Sequence, residues 1–404
     1  DVPNLRFPEF QGEWEKCKVS DLLDFYSTNS LSWDKLEYGT TNIQNLHYGL
    51  IHVGLPTMVD IDKDNLPNII DGNVPKNYEL CKEGDIVFAD ASEDTNEVAK
   101  AVEYYNLNGK KVVCGLHTIH GRDNKNKTVV GYKGYAFSSM SFHHQIRRIA
   151  QGTKIYSINS KNFSECYVGI PSKDEQQKIA DLLRLIDERI ATQNKIIDKL
   201  QSLIKGINQR VFMNSGTNYK LGEICEIRNG YSGSQHLSKK GLKVSRIETI
   251  SGHKVNMERV GYVAPFESSE NYRLQVGDIL FSNINSVEYI GNTAFIDKDY
   301  DLYHGMNLLR LTPNNMVVIP FYLYLLLNTN RMLNRFKTVC NKAVSQASIN
   351  QTELGKTVVQ IPDINAQKQI CELYQALYDK LESEKYANSL FQKQKQYLLR
   401  QMFI

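Results

Sequence analysis

Nine apolar residues, Ile179, Leu183, Ile186, Ile190, Ile197, Leu200, Ile204, Ile207 and Val211, succeed one another at steps of four and three, with Gln193 as the one polar place in the series. This is an a/d heptad seam, which predicts a long helix that needs an apolar partner along its length. Ser172 stands where an N-cap belongs, and Asp174 and Glu175 suit the positive end of a helix. A second series, Ile370, Tyr374, Leu377, Leu381, Glu384, Asn388, Phe391, Lys395, Leu398 and Met402, keeps the same offsets. It is looser, so Leu373, Ala387, Leu390 and Leu399 are expected to fill out its face. Gln193 and Glu384 occupy the same repeat position, a polar break suited to fixing register. Each helix of about 42 residues would extend ~60 Å.

The two seams belong to a larger repeat. Ile170-Pro171, followed by Gln176 and Ile179, returns 191 positions later as Ile361-Pro362, Gln367 and Ile370. Upstream, Ile158-Asn159 matches Ile349-Asn350 at the same offset. With gaps, Val19-Ser20-Asp21-Leu22 matches Leu221-Gly222-Glu223-Ile224, and Gly84-Asp85-Ile86-Val87-Phe88 matches Gly277-Asp278-Ile279-Leu280-Phe281. Strand-type runs include 85–89, 111–114 and 128–132. The expected fold is therefore α+β: two mixed α/β globules, at 1–170 and 217–361, with long helices at 171–216 and 362–404. The helices are expected to pair as an antiparallel coiled coil, giving a pseudo-twofold layout. The apolar run from Met316 to Leu327 has 12 residues and contains Pro320, so it reads as core; a membrane span needs roughly 20 residues.

A chain of 404 residues exceeds what one core usually supports. A hydrophobic share of 41% with 23% charged residues is that of an ordinary soluble protein. The seven cysteines (17, 81, 114, 166, 225, 340 and 371) are scattered, odd in number and never in a C-x-x-C pair. Together with the absence of a secretory pattern, this predicts reduced thiols in a cytoplasmic protein, with neither a disulfide frame nor a zinc site.

Net charge is only +3, but its placement is uneven. Residues 1–100 carry 8 Lys/Arg against 19 Asp/Glu. Residues 124–164 carry no acid and seven bases, Lys125, Lys127, Lys133, Arg147, Arg148, Lys154 and Lys161. Residues 302–352 also lack acids and carry Arg310, Arg331, Arg335, Lys337 and Lys342. The two stretches hold matching places in the repeat, contain Tyr132, Tyr135, Phe142, Tyr322 and Phe336, and are rich in Asn, Gln, Ser and Thr. Bases neutralise phosphates and Arg, Asn and Gln pair with base edges, so a polyanion surface is expected in each half. The DNA-contacting candidates are Arg122, Lys125, Lys127, Arg147, Arg148, Gln151, Lys154 and Tyr156 in the first half. In the second they are Arg331, Arg335, Lys337, Asn341, Lys342, Ser345 and Gln346. His143 and His144, beside Arg147 and Arg148, read as part of that basic surface.

Catalytic patterns are missing. The chain has no Asn-Pro-Pro-aromatic motif, no G-x-G-x-x-G turn and no phosphate loop. His117, His120, His143 and His144 lack the setting of a zinc hydrolase. Asp60, Asp62 and Asp64 alternate like calcium ligands but lack the Gly and the bidentate Glu of such a loop, so a solvated turn is expected.

The chain resembles the DNA-specificity subunits of type I restriction–modification enzymes along its whole length. The resemblance rests on Ile170-Pro171 with Glu175-Gln176 and Ile179, on the loop from Gly152 to Ile158, on the Gly-Asp-Ile strands, and on Leu5-Arg6-Phe7-Pro8-Glu9-Phe10. The second copy departs in having Ala366 in place of the Glu. The resemblance implies two target-recognition domains, each reading half of an asymmetric bipartite site in double-stranded DNA, with the helices as spacer. It implies docking of two methyltransferase subunits on those helices, with Ile179, Leu183, Ile186, Ile190, Ile197, Leu200, Ile370, Leu377, Leu381, Phe391 and Leu398 as the helix-face residues. Motor–nuclease subunits would complete the complex. The chain itself would be non-catalytic and without a cofactor or metal, S-adenosylmethionine, ATP and Mg belonging to the partner subunits. From the residues alone, a non-catalytic coiled-coil scaffold with two protein-binding globules remains the alternative.

Overall fold

A computed structural model of the chain describes residues 1–212, 216–235, 240–342 and 346–404, with the side chain of Gln209 excepted. The chain divides into two compact units, Asp1–Lys195 with Lys385–Ile404, and Ile196–Glu384. This grouping differs from the four consecutive segments expected, because each unit takes a part of both long helices, Lys173–Val211 and Ile364–Gln401.

In the first unit the central sheet has the order Asp24–Tyr26, Thr118–Arg122, Ile86–Ala89, Ala101–Asn106, Met58–Asp60. Thr118–Arg122 pairs antiparallel with Ile86–Ala89, His120 facing Val87. A smaller sheet is made from Val112–Cys114, Gln44–Leu46, Asn68–Ile69 and Leu36–Glu37. In the second unit the order is Cys225–Asn229, Leu308–Pro313, Ile279–Ser282, Thr293–Phe295. There Arg310 faces Leu280, two residues past Asp278 as Val87 is two past Asp85. The two sheets thus repeat four strands in the same register.

The Gly-Asp pairs open equivalent strands for a stated reason. Gly84 (φ 82°) and Gly277 (φ 100°) are left-handed, a conformation that strains a residue with a Cβ. The following carboxylates then close the turns, Asp85 accepting from Lys82 N (2.8 Å) and Asp278 from Gln275 N (2.7 Å). The Ile-Pro…Gln motif has an equally local cause. Buried Gln176 donates to the carbonyls of Lys127 (3.0 Å) and Pro171 (2.9 Å) and accepts from Val129 N (3.0 Å). Buried Gln367 repeats this with Val317 O (3.1 Å), Pro362 O (2.8 Å) and Ile319 N (2.8 Å). Each amide ties the first turn of a long helix to the loop that leads into a core helix, Tyr132–Phe137 or Pro320–Leu327.

The heptad seams are occupied within the chain. In the first unit Ile179, Leu183 and Ile186 share a core with Leu398, Met402 and Phe403, and Asp187 pairs with Lys395 at 2.6 Å while Asn388 donates to Asn194 at 2.9 Å. In the second, Ile204 packs in a core with Tyr374 and Leu381, with Ile197, Leu200, Ile207, Ile370 and Leu377 packed against it, and Tyr374 donates to Asn208. Partner numbers rise on one helix as they fall on the other, so the segments run antiparallel inside each unit. A fully buried Leu or Ile contributes roughly 1.5–3 kcal/mol, so these seams stabilise strongly. Leu373 and Leu390, expected to fill out the second seam, instead face solvent. The looser positions Glu384, Asn388 and Lys395 stay half-buried in the seam itself.

Two further expectations change. The 128–132 run is not a strand; left-handed Gly131 (φ 96°) and buried Glu103, accepting from Gly131 N (3.0 Å) and Gly134 N (2.8 Å), start a helix there. Tyr132, Tyr135, Phe142, Tyr322 and Phe336, assigned to a polyanion surface, are all core residues. The apolar run near Leu327 is a buried helix, and among the described residues no helix is long and apolar enough to cross a membrane. Asp60, Asp62 and Asp64 form a turn closed by Asp64 and by amides of Asn106 and Asn108.

Candidate nucleic-acid interface

Each unit presents the same module: an amphipathic helix, an exposed hairpin, a buried Ile and a capped short helix. In the first unit Ser139 caps the helix Met140–Ile149, accepting from Phe142 N at 3.3 Å, and Phe142 and Ile146 face the core. In the second Thr329 caps Asn330–Val339, accepting from Met332 N at 3.3 Å, and Met332 and Phe336 face the core. The 3.6-residue period then turns His144 and Arg148 outward in one copy and Arg331 and Arg335 in the other.

The hairpins follow directly. Gln151 and Ser157 exchange both backbone hydrogen bonds (2.9 and 2.8 Å), leaving Gly152, Thr153, Lys154 and Ile155 exposed at the tip. Half-buried Tyr156 pairs with Ser92 of a neighbouring strand. In the second unit Asn341 pairs with Ser348 and Lys342 with Ala347, and Ala347–Ser348 pairs on its other side with Ile284 and Asn285. Asn341, Lys342 and Gln346 are exposed; Ser345, also a candidate, lies outside the described residues. The Ile-Asn repeat ends each hairpin. Ile158 and Ile349 are buried, while Asn159 accepts from Asn162 N (2.7 Å) and Asn350 from Glu353 N (2.8 Å) to cap the next helix.

The candidates separate into two groups. Arg147 donates to Asn96 (3.2 Å) and lies beside His144 (3.2 Å), and Arg335 donates to the Val358 carbonyl (2.7 Å). Arg148, Lys154, Lys337 and Lys342 form no ion pair with a carboxylate among the described residues. Their charge is available to a polyanion. Arg122 is different: its guanidinium is buried, clamped on Asp85 by two 2.8 Å bonds, on Glu79 (2.7 Å) and on the Leu80 carbonyl (2.9 Å). The bonds to Asp85 hold its pKa above the ordinary arginine value. A guanidinium so committed is a core element, which corrects the reading of Arg122 as a DNA-contacting residue. Lys125 is bonded to the Asp21 carbonyl (2.8 Å) and Lys127 to Glu15 (2.6 Å), so both are tied to their own unit. Lys133 is buried against Glu103 at 3.0 Å, and Arg310 against Asp278 at 2.8 Å. His143 is largely buried, and burial followed by Arg147 lowers its pKa, so it adds no charge to the surface.

Reading the sequence missed a second pair of equivalent positions. His117 (φ 54°) and Asn307 (φ 64°) are both left-handed non-glycine residues just before equivalent strands. Such conformations cost of order 1–3 kcal/mol and cluster at functional sites. His117 is exposed, bonded to Asp90 (3.2 Å) and set against Tyr48, in a ring series that runs through His47 to Trp33. Asn307 lines an open polar cleft of about 380 Å³ with Gln235, Arg246 and Glu248. His and Asn share no chemical type, so no repeat in the letters marks the position.

A family profile described as the type I restriction modification DNA specificity domain matches residues 12–202 and again 215–389. Over 158 residues the chain is 44% identical to a putative type I restriction enzyme MjaX specificity subunit of Methanocaldococcus jannaschii, covering 38% of this chain and 37% of that protein. It is 25% identical over 342 residues to the EcoKI specificity subunit of Escherichia coli K12, covering 76% of this chain and 71% of the other. In fold it is similar to the type I S subunit of M. genitalium, with TM-score 0.59 at 16% identity over 100% of this chain and 99% of that one. It is also similar to a chain solved in work on complex assembly and conformational transition of the type I R-M system, with TM-score 0.62 at 15% identity over 97% of each. The chain belongs to the family of type I restriction–modification DNA-specificity subunits.

Proposed function

We propose that this family member reads an asymmetric, bipartite site in double-stranded DNA, one segment with each unit and an unread spacer between them. It performs no chemistry itself. Two methyltransferase subunits dock on its long helices and supply S-adenosylmethionine, and motor–nuclease subunits supply ATP and Mg.

The observation that carries the reading is the doubled helix–hairpin module. Its caps and core contacts repeat position by position, while the side chains turned outward differ: His144, Arg148 and Lys154 in one copy, Arg331, Arg335 and Lys342 in the other. A frame that keeps its backbone bonds and changes its exposed polar groups fits two readers of unlike sequences. Basic groups of this kind anchor on phosphates, and Gln151, Asn341 and Gln346 are the residues able to pair with base edges.

The docking faces require a correction to the residues first assigned to them. Ile179, Leu183, Ile186, Ile190 and Leu398 in the first unit, and Ile197, Leu200, Ile370, Leu377 and Leu381 in the second, are spent on cores within the chain, while Phe391 is half-buried. Apolar residues on the outer faces fit a partner better. Tyr386, Leu390 and Tyr397 are 66%, 46% and 57% exposed, and their i, i+4, i+11 spacing puts them on one stripe of the helix. Leu185 and Leu203 are also exposed, on the other helix.

The test is methylome sequencing of cells that express this chain with a matching methyltransferase subunit. The expected result is one methylated motif with two specified segments and a fixed unspecified gap. Methylation at a single continuous motif, or none above background with an active methyltransferase subunit, would refute the proposal. The scaffold alternative would show itself as no binding of duplex DNA by the reconstituted complex at low salt.

A further inference from the structure

The first unit contains a cluster of soft-metal ligands that DNA reading does not use. The thiols of Cys81 and Cys114 lie with Sγ atoms 3.4 Å apart, and a ligand atom of His120 lies within 4.8 Å of both. The three residues are 6%, 1% and 0% exposed. The backbone holds the thiols in place: Cys81 N donates to Val112 O at 2.9 Å, and Cys114 ends a strand paired with Gln44–Leu46.

The imidazole supplies an independent indication. His120 Nε2 is 2.7 Å from Asp85 Oδ2, and that carboxylate is ionised, since Arg122 bonds both its oxygens. A carboxylate can only accept, so Nε2 carries a hydrogen, and in the neutral imidazole Nδ1 then keeps its lone pair. Nδ1 is buried and has no hydrogen-bond partner. A buried acceptor without a partner costs roughly 1–3 kcal/mol, and a carboxylate behind the far nitrogen is the usual support of a metal-bound histidine. The Tyr104 hydroxyl, in the same apolar cluster as the two thiols, is likewise buried without a partner.

We propose that Cys81, Cys114 and His120 Nδ1 bind one thiophilic divalent cation, with zinc the ion that the ligand set favours. Zinc takes sulfur at about 2.3 Å and imidazole nitrogen at about 2.0–2.1 Å in a tetrahedron. That places the two sulfurs a little under 4 Å apart, a few tenths of an ångström wider than they stand here. Binding displaces two thiol protons and leaves two thiolates around a dication, a locally neutral group suited to a dry pocket. The fourth position is left for an oxygen, and the Tyr104 hydroxyl is available. The ion would clip three segments together, 81, 112–114 and 118–122, the last two joined by the turn that carries His117. The second unit cannot repeat this, because Arg310 stands where His120 does and His304 where Cys114 does.

The test uses the full chain, reduced and freed of metal, titrated with Co²⁺. The expected result is one ion per chain, with a thiolate-to-cobalt charge-transfer band, displaced by one equivalent of Zn²⁺. The Cys81→Ser/Cys114→Ser variant should lose the band, and Cys340→Ser, a buried thiol of the second unit, should keep it. If the double variant fails to fold, alkylation of the wild-type chain decides instead: Zn²⁺ should slow modification of Cys81 and Cys114 at least tenfold and leave Cys17 and Cys166 unchanged. No charge-transfer band at saturating Co²⁺, an equal band in a folded double variant, or equal alkylation rates with and without Zn²⁺ would overturn the proposal. So would a Cys81–Cys114 disulfide in the chain as purified.

Discussion

The two units solve one packing problem with different wiring. In the first, Asp85 is held by His120 at 2.7 Å and by Arg122 through two 2.8 Å bonds. In the second, Asp278 is held by Arg310 at 2.8 Å and by Thr312 at 2.7 Å. The strand positions are equivalent, so the cation has moved by two residues while the carboxylate stayed. The helix starts differ in the same way. Buried Glu175 receives Arg6 at 2.7 and 2.8 Å, whereas Ala366 uses only its backbone N–H, given to Asp363 at 3.0 Å. Arg6 belongs to the N-terminal segment of the first unit, so a Glu at the second helix start would lack that donor. Bonds aimed at the backbone, such as the glutamine clamps and the asparagine caps, are the same in both units. Bonds between side chains have drifted, because two side chains can change together and a peptide group cannot.

The largest test of this comparison removes the fixed carboxylate from each unit. Asp85→Ala leaves His120 and Arg122 buried without their partner, and Asp278→Ala leaves Arg310. Losing one member of a buried pair costs roughly 3–5 kcal/mol. Unfolding of a chain with two units is not a single two-state event, so urea unfolding should be followed by hydrogen exchange resolved by segment. Each variant is expected to loosen only its own unit. A loss below about 1 kcal/mol at Asp278 would mean that the two networks are not equivalent.

Acid should separate the units next. Burial lowers the pKa of His304 to about 4, partly opposed by its bond to the Leu308 carbonyl at 2.9 Å. The unfolded chain takes up this proton near pH 6.5, and the folded chain does so only near 4. Stability is therefore complete above pH 6.5 and falls as pH drops towards 4, by on the order of 3 kcal/mol in all. The first unit has a thiol, Cys114, at the equivalent place. His304→Gln should flatten the pH dependence of the second unit between pH 6.5 and 4, as read by urea midpoints. An unchanged pH profile in that variant would assign the acid sensitivity to other groups.

The glutamine clamps test the part that has not drifted. Gln176→Ala and Gln367→Ala each strand one amide hydrogen and two carbonyls, at an expected cost of about 2 kcal/mol per variant. The two costs, measured as shifts in segment-resolved unfolding, should agree within about 1 kcal/mol. These glutamines were legible in the sequence because a backbone-directed bond needs one residue type at one spacing. The helix seams were legible for the same reason, since a heptad keeps its phase whatever apolar residue fills it. The surface was less legible. An acid-free window mixed exposed bases with Lys133 and Arg310, whose acidic partners, Glu103 and Asp278, lie about thirty residues upstream. It also mixed in Tyr132, Tyr135 and Tyr322, which belong to short buried helices that no linear window distinguishes from a polar strip. The Cys81, Cys114 and His120 cluster is assembled from three separate segments and has no spacing to read.

The smallest expected effects lie on the exposed faces, where the comparison bears on DNA. Arg148→Ala in the first unit and Arg335→Ala in the second each remove one candidate phosphate contact. In the reconstituted complex each should lower the slope of log affinity against log salt by about 0.9, and weaken cognate and random duplexes alike. Arg122→Ala should destabilise the first unit without that change in slope, because its charge is already neutralised by Asp85 and Glu79. Gln151→Ala and Asn341→Ala should do the opposite of the arginine variants. Where those amides pair with bases, the salt slope stays constant while specificity relaxes in one DNA segment only, by about 1–3 kcal/mol at the affected position. If Gln151→Ala relaxed both segments together, the two modules would not be independent readers, and the division of labour between the units would have to be abandoned.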